Sequence, residues 1–308
     1  MKVFHSFDDI ANIGETGIAL GNFDGIHIGH QRLINNTVQY CKKNGLSSIV
    51  FTFRNHSRDI TKSPDTVKKI VTWKEKVRII ESLGVDYLIV IEFDEKFSKM
   101  SPADFVKNIL IGKLNMKQAN CGFHYRFGYK AEGTPELLKE MSQKNNFEVF
   151  VLEPVTIDGE LVSSTKIREL ISAGDMETCK NFLGRKYSLE GIVVHGKELG
   201  KKMGFPTANI FINETRVIPP NGVYITNSYV NNTKYNSITN IGYNPTVGGD
   251  KRLIETYLFD FDEDIYDLNI RIEFNKKIRS ESKYENIEIL KAQISRDVEI
   301  AKKYHEIK

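Results

Sequence analysis

Cysteine is scarce in this chain of 308 residues: there are three, Cys41, Cys121 and Cys179, far apart and with no Cys-x-x-Cys pair. That excludes a disulfide framework and a zinc knuckle, and leaves buried thiols as the expectation. Long apolar runs are also missing. No stretch approaches the roughly 20 residues a membrane helix needs, and Met1 to Asp9 holds no apolar signal core, so no membrane partner and a cytoplasmic location are expected. An excess of one charge is lacking too. Lys plus Arg number 43 against 40 for Asp plus Glu, a net charge of +3 that argues against nucleic acid as a partner. What remains, 40% hydrophobic and 27% charged residues without internal repeats, is an ordinary globular composition, and the length favours two domains.

From Thr16 to about Leu152, short apolar runs alternate with amphipathic segments. Strands are expected at 16–20, 47–53, 86–91, 117–122 and 148–152, with Leu33, Ile34, Val38 and Cys41 at helical spacing and further helices at 73–83 ended by Gly84 and at 102–110 opened by Ser101 as N-cap. This alternation predicts a parallel, doubly wound sheet, an α/β domain. Two short helices, about 165–172 and 175–183, lead to Gly184-Arg185. Strand formers and turn residues then dominate to about Phe274, with strands expected near 188–194, 222–230, 236–241, 254–259 and 269–274, and Ile287, Leu290, Ile294, Val298 and Ala301 follow helical spacing. An all-β module closed by a C-terminal helix is expected. The boundary is placed near Gly184, giving domains 1–184 and 185–308.

Three strings carry the chemistry. Gly21-Asn22-Phe23-Asp24-Gly25-Ile26-His27-Ile28-Gly29-His30 follows the first strand and opens a helix. Backbone N–H groups and the positive helix end favour anions there, glycines admit a phosphate to the backbone, and His27 and His30 can reach the same phosphates. His-x-Gly-His alone arises by chance in about one chain in a hundred of this composition, but the preceding Gly-Asn-Phe-Asp-Gly makes coincidence implausible. Ser163-Ser164-Thr165-Lys166-Ile167-Arg168 offers hydroxyls, a cation and a guanidinium in one helical turn, a set that can hold β- and γ-phosphates. The third string runs from Gly196 through Gly200-Lys201-Lys202-Met203-Gly204 to Phe205-Pro206-Thr207-Ala208-Asn209. Residues two apart in extended chain point the same way, so Thr207 and Asn209 can present oxygens to one hard cation while Gly200, Lys201 and Gly204 wrap phosphates. So sparse an oxygen set suits Mg²⁺.

Together, and in this order, the strings resemble the prokaryotic bifunctional riboflavin kinase/FAD synthetase family from about Gly21 to Lys303. The first two resemble its FMN adenylyltransferase half, a nucleotidyltransferase. The third, with Pro220 to Tyr224, Asn240 to Thr246 and Ile254 to Phe261, resembles its riboflavin kinase domain. The resemblance implies a Greek-key β-barrel for the second domain. It also implies phosphorylation of riboflavin to FMN with ATP and Mg²⁺, then adenylylation of FMN to FAD with release of pyrophosphate. Riboflavin, FMN and ATP are the implied small-molecule partners; the oligomeric state is left open. His27 and His30 are the implied catalytic residues of the first reaction, with Gly21, Phe23, Asp24, Gly25, Gly29, Ser164, Thr165, Lys166 and Arg168 around ATP. Glu255 is the implied base for the ribityl 5′-hydroxyl, Thr207 and Asn209 the metal ligands, and His56, Arg126 and Arg279 flavin contacts.

Two segments depart from the family pattern. Phe51-Thr52-Phe53-Arg54-Asn55-His56-Ser57 stands where Thr-Phe-x-Pro-His-Pro is common, and Cys121-Gly122-Phe123-His124-Tyr125-Arg126-Phe127-Gly128 stands where Gly-x-Asp-Phe-x-Phe-Gly is common. They keep open a riboflavin kinase with a weak or inactive adenylyltransferase half; a separate alternative is a non-catalytic flavin-binding regulator that kept the scaffold without turnover.

Overall fold

In a computed structural model, residues 1–10, 13–54, 67–196, 200, 203–211, 215–243 and 252–306 are described. The chain divides into two compact units, Met1–Ser164 and Thr165–Lys308.

The first unit is built on a six-stranded parallel sheet. Its strands are β1 (Lys2–Phe4), β2 (Thr16–Leu20), β3 (Ser47–Phe53), β4 (Tyr87–Ile91), β5 (Met116–Gly122) and β6 (Glu148–Leu152), in the order β1-β4-β3-β2-β5-β6. Every residue of β2 is buried, as expected of a short apolar run covered on both faces. The helices include α1 (Ile28–Asn44), α2 (Trp73–Ser82) and α3 (Pro135–Asn145). Gly45 and Gly84 take positive φ at the ends of α1 and α2, a conformation glycine adopts without strain. Chain order reverses between β2 and β5, and ligands of open α/β sheets bind outside the strand C-termini at such a switch point.

The helix expected at 102–110 begins as read, with Ser101 Oγ accepting from Asp104 N at 3.0 Å. From Phe105 to Lys113 it widens into π-type turns, Leu114 N donating to Ile109 O, five residues back. Strand β1 and the hairpin β7 (Thr156–Ile157) and β8 (Glu160–Leu161) were not expected; two- and three-residue strands leave no alternation to read.

The second unit opens with α4 (Ser164–Ala173, whose first residue belongs to the first unit) and α5 (Met176–Leu183), and Glu177 of α5 pairs with Lys276 at 2.9 Å. A closed antiparallel barrel follows: β9 (Ser188–Val194), β10 (Ala208–Phe211), β11 (Gly222–Val230), β12 (Thr233–Tyr243), β13 (Arg252–Leu258) and β14 (Asn269–Ser280). The order around it is β10-β13-β12-β11-β14-β9, so the β11-β12-β13 meander has β14 returning beside β11, the Greek-key arrangement. The helix α6 (Ile287–Glu306) covers one wall, with Val298 and Ala301 packed among Val223, Ile225, Ile238 and Phe259. Buried hydroxyls of Thr226, Ser237, Thr239 and Thr256 bond one another at 2.7 to 2.8 Å, satisfying polar groups that burial would otherwise penalise. All three cysteines are buried free thiols, and burial pushes Cys41 up to about 11 and Cys121 and Cys179 to about 12.

Candidate active sites

The string after β2 folds into a tight turn at the C-terminal edge of the sheet. Gly25 takes φ +78°, and the turn also holds Phe23 at φ 49° and Ile26 at φ 42°, conformations that cost ordinary side chains energy. Both of those side chains are wholly buried, which compensates. A Cβ on Gly21 would stand 3.1 Å from the Phe23 ring, and one on Gly25 3.0 Å from Ile70, so both positions need the small residue. Asp24 fastens the turn, its carboxylate accepting from Ile70 N at 3.1 Å, while Thr52 Oγ1 donates to Asn22 O at 3.1 Å.

His27 is the N-cap of α1, its Nδ1 accepting from His30 N at 3.2 Å. That bond leaves the proton of a neutral His27 ring on Nε2. The two imidazoles stack at 3.6 Å between centroids and 16° between planes, and Phe23 meets the His30 ring edge-on at 5.2 Å. Burial drives His30 well below the ordinary histidine value, and the nearby charges of His27, Lys76 and His124 push in the same direction. The result is a largely uncharged His30 near both the Lys76 ammonium and the Asp24 carboxylate.

Ser164 Oγ donates to Asp24 O at 2.9 Å, tying the head of the second string to the first turn; Thr165, Lys166 and Arg168 follow along α4. Arg126 is exposed and donates to the neighbouring Tyr125 O at 3.0 Å. His56, with Asn55 and Ser57, lies outside the described residues. Lys76 on α2 was missed by the sequence reading. Its Nζ donates to Asn22 O at 2.7 Å, and burial lowers it to about 8 despite the opposing pull of Asp24. Nothing in the sequence flags it, because 54 residues separate the partners.

In the barrel, a 270 Å³ cavity is lined by Gly200, Thr207, Asn240, Glu255, Arg279 and Asp297, among others, with an apolar wall that includes Phe205 and Ile294. Gly200 is required: a Cβ there would lie 2.4 Å from Phe205 O, whose own N–H bonds back to Gly200 O at 2.8 Å. Gly204 takes φ +90°, while Lys201, like Asn244 to Thr246, lies outside the described residues. Asn209 is buried, with its Nδ2 donating to Thr207 O at 3.3 Å and its Oδ1 left without a partner among the described residues. Asn209 and Asn240 lie directly opposite Glu255 on the two flanking strands, and Asn240 Nδ2 donates to Glu255 Oε2 at 3.3 Å. Arg279 makes a two-pronged ion pair with buried Asp297, at 2.9 Å from Nε and 2.8 Å from the terminal nitrogen.

Known proteins match in the same order. A family model for FAD synthetase matches residues 9–166 and one for riboflavin kinase residues 183–305. A bifunctional riboflavin kinase/FMN adenylyltransferase of Buchnera aphidicola is 37% identical over 99% of both chains. One from Bacillus subtilis is 36% identical over 93% of this chain and 92% of its own, and one from Escherichia coli K12 is 30% identical over 99% and 98%. A solved chain from Streptococcus pneumoniae, described as a macrolide-efflux protein, superposes with TM-score 0.89 at 29% identity, covering 97% of this chain and 98% of that one. Among the described residues here, no helix is long and apolar enough to cross a membrane.

Proposed function

The chain belongs to the bifunctional riboflavin kinase/FMN adenylyltransferase family, phosphorylating riboflavin to FMN and adenylylating FMN to FAD, and from that premise we propose which residues carry each reaction. The supporting observation is that the imidazole pair belongs to one compact unit and the Glu255 carboxylate to the other.

In adenylyl transfer, a phosphate oxygen of FMN attacks the α-phosphorus of ATP. The new P–O bond forms as the bond to the bridging oxygen breaks, and pyrophosphate leaves. His27 and His30 stabilise the equatorial oxygens, while Ser164, Thr165, Lys166 and Arg168 hold the leaving phosphates. Gly21, Phe23, Asp24, Gly25 and Gly29 shape the turn, and the Lys76 ammonium bonded to Asn22 O draws the triphosphate in. His56 and Arg126 are the proposed flavin contacts.

In the kinase reaction, Glu255 takes the proton of the ribityl 5′-hydroxyl as its oxygen attacks the γ-phosphorus, and ADP leaves. Gly200, Lys201 and Gly204 wrap the phosphates, and Arg279 contacts the flavin. Asn209 Oδ1, buried and without a partner among the described residues, fits a hard divalent cation beside Thr207, so these two residues would hold Mg²⁺ with ATP. When bound, the ion neutralises charge on the terminal phosphates. The two activities are assigned to residues 1–184 and 185–308 of a cytoplasmic enzyme.

The test is a flavin time course by chromatography with purified protein, riboflavin, ATP and Mg²⁺. FMN appearing before FAD is expected. FMN alone, with an FMN-fed control also failing, reduces the protein to a kinase; bound but unconverted flavin makes it a regulator.

A further inference from the structure

The row across β10, β13 and β12 holds one residue to which the reaction just described gives no task. Asn240 stands directly opposite Glu255 in the β12–β13 register, as Asn209 does on the β10 side, so the carboxylate is flanked by two carboxamides on adjacent strands. Asn240 Nδ2 reaches Glu255 Oε2 at 3.3 Å, and both side chains line the cavity. Only the amide nitrogen can make this bond, since a carbonyl oxygen turned toward a carboxylate would repel it. The two asparagines differ in what they offer. Asn209 spends its nitrogen on Thr207 O and keeps its oxygen for a cation, whereas Asn240 turns its nitrogen to the carboxylate.

We propose that Asn240 is the positioning residue for the kinase base, fixing the Glu255 carboxylate so that one oxygen faces the attacking hydroxyl. This rests on the assignment of Glu255 as that base. A neutral amide suits the task, because it restricts the carboxylate rotamer while pulling less on its proton affinity than a cation does. Orientation needs such restriction here. Two further carboxylates, Glu281 and Asp297, line the same cavity, Asp297 bound to Arg279 and Glu281 bound by Asn221 Nδ2 at 2.9 Å. Gly242, two residues along β12 on the same face, leaves room for the Glu281 carboxylate beside the amide. A Cβ there would stand 3.5 Å from Asn240 Nδ2 and 3.2 Å from Glu281 Oε1. A bond of 3.3 Å is at the long end, as catalytic hydrogen bonds often are before substrate tightens them.

The test is steady-state kinetics on the full chain, with FMN adenylylation by the same preparation as the internal check on folding. Asn240→Ala should lower kcat for riboflavin phosphorylation about 10- to 100-fold, leave KM for riboflavin and ATP within about twofold, and leave adenylylation unchanged. Asn240→Asp keeps the volume but swaps the donor for a second carboxylate, and should lower kcat at least as far. Added to Glu255→Gln, Asn240→Ala should cost nothing more, because residues acting as a unit are not additive. Unchanged kcat in both Asn240 variants, or a tenfold rise in riboflavin KM with kcat kept, overturns the proposal and in the second case makes Asn240 a flavin contact. Full additivity with Glu255→Gln overturns it as well. If Glu255→Gln alone keeps parental kinase activity, the base assignment itself has failed, an outcome distinct from failure of Asn240 alone.

Discussion

The two proposed sites take the same co-substrate with opposite side-chain chemistry. Around the first turn stand the stacked imidazoles of His27 and His30, set where a helix begins, with the Lys76 ammonium bonded to Asn22 O of the same turn. In the barrel the central group is a carboxylate between two amides. The nucleophiles explain the contrast. A phosphate oxygen of FMN is already ionised near neutral pH, so the first site needs charge stabilisation and no base. A ribityl hydroxyl keeps its proton until a base removes it, so the second site must hold an acceptor against the repulsion of a triphosphate.

The largest effects should divide the activities cleanly. Glu255→Gln should lower riboflavin phosphorylation about 10² to 10⁴-fold with FMN adenylylation unchanged, measured on separate substrates. His30→Ala should do the reverse, lowering FAD formation about 10² to 10³-fold while FMN still accumulates. If one change stopped both reactions in a folded chain, the contrast would collapse. Next comes the wall of the barrel. Asp297→Ala strands the Arg279 guanidinium and should destabilise the second unit by about 3 kcal/mol, read by denaturant unfolding.

The smallest effect sharpens the electrostatic half of the comparison. Lys76 is charged below about pH 8, and Lys76→Met should slow adenylylation about tenfold at pH 7, the worth of one charge-assisted hydrogen bond. In the parent, adenylylation should decline as pH rises through 8, and Lys76→Arg should hold its rate to higher pH. Stability runs the other way. Folding depresses this pKa, so the cost of burying the charge is fully present below about 8 and is relieved as pH climbs toward the ordinary lysine value of 10.5. Kinase activity should show neither trend from this group.

Much of this was legible in the sequence, for reasons that differ between elements. Strands β3, β9 and β11 were read to the residue because each is an apolar or alternating run bounded by turn signals. Strand β10 was given no bounds because it starts inside the Phe-Pro-Thr-Ala-Asn string, which reads as a turn entering a strand without showing where that strand runs. The His27/His30 pair was legible because both residues sit on one turn of chain. Lys76 was not, since its partner lies 54 residues away and only packing of α2 against the turn joins them. Asn240 stood within a matched segment, yet its bearing on Glu255 depends on strand register, which no local pattern encodes.

The three-strand row has a consequence for how the barrel tolerates change. Asn209, Glu255 and Asn240 are addressed to one another by backbone ladders and not by chain distance. Lengthening a surface turn between strands leaves that address intact. Deleting one residue within β12 or β13 is a different kind of error, because side chains alternate and a single slip sends Asn240 or Glu255 to the opposite face of the wall. The kinase site should therefore be robust to insertion at its corners and brittle to a one-residue frame change along its strands, a fault line drawn by geometry alone.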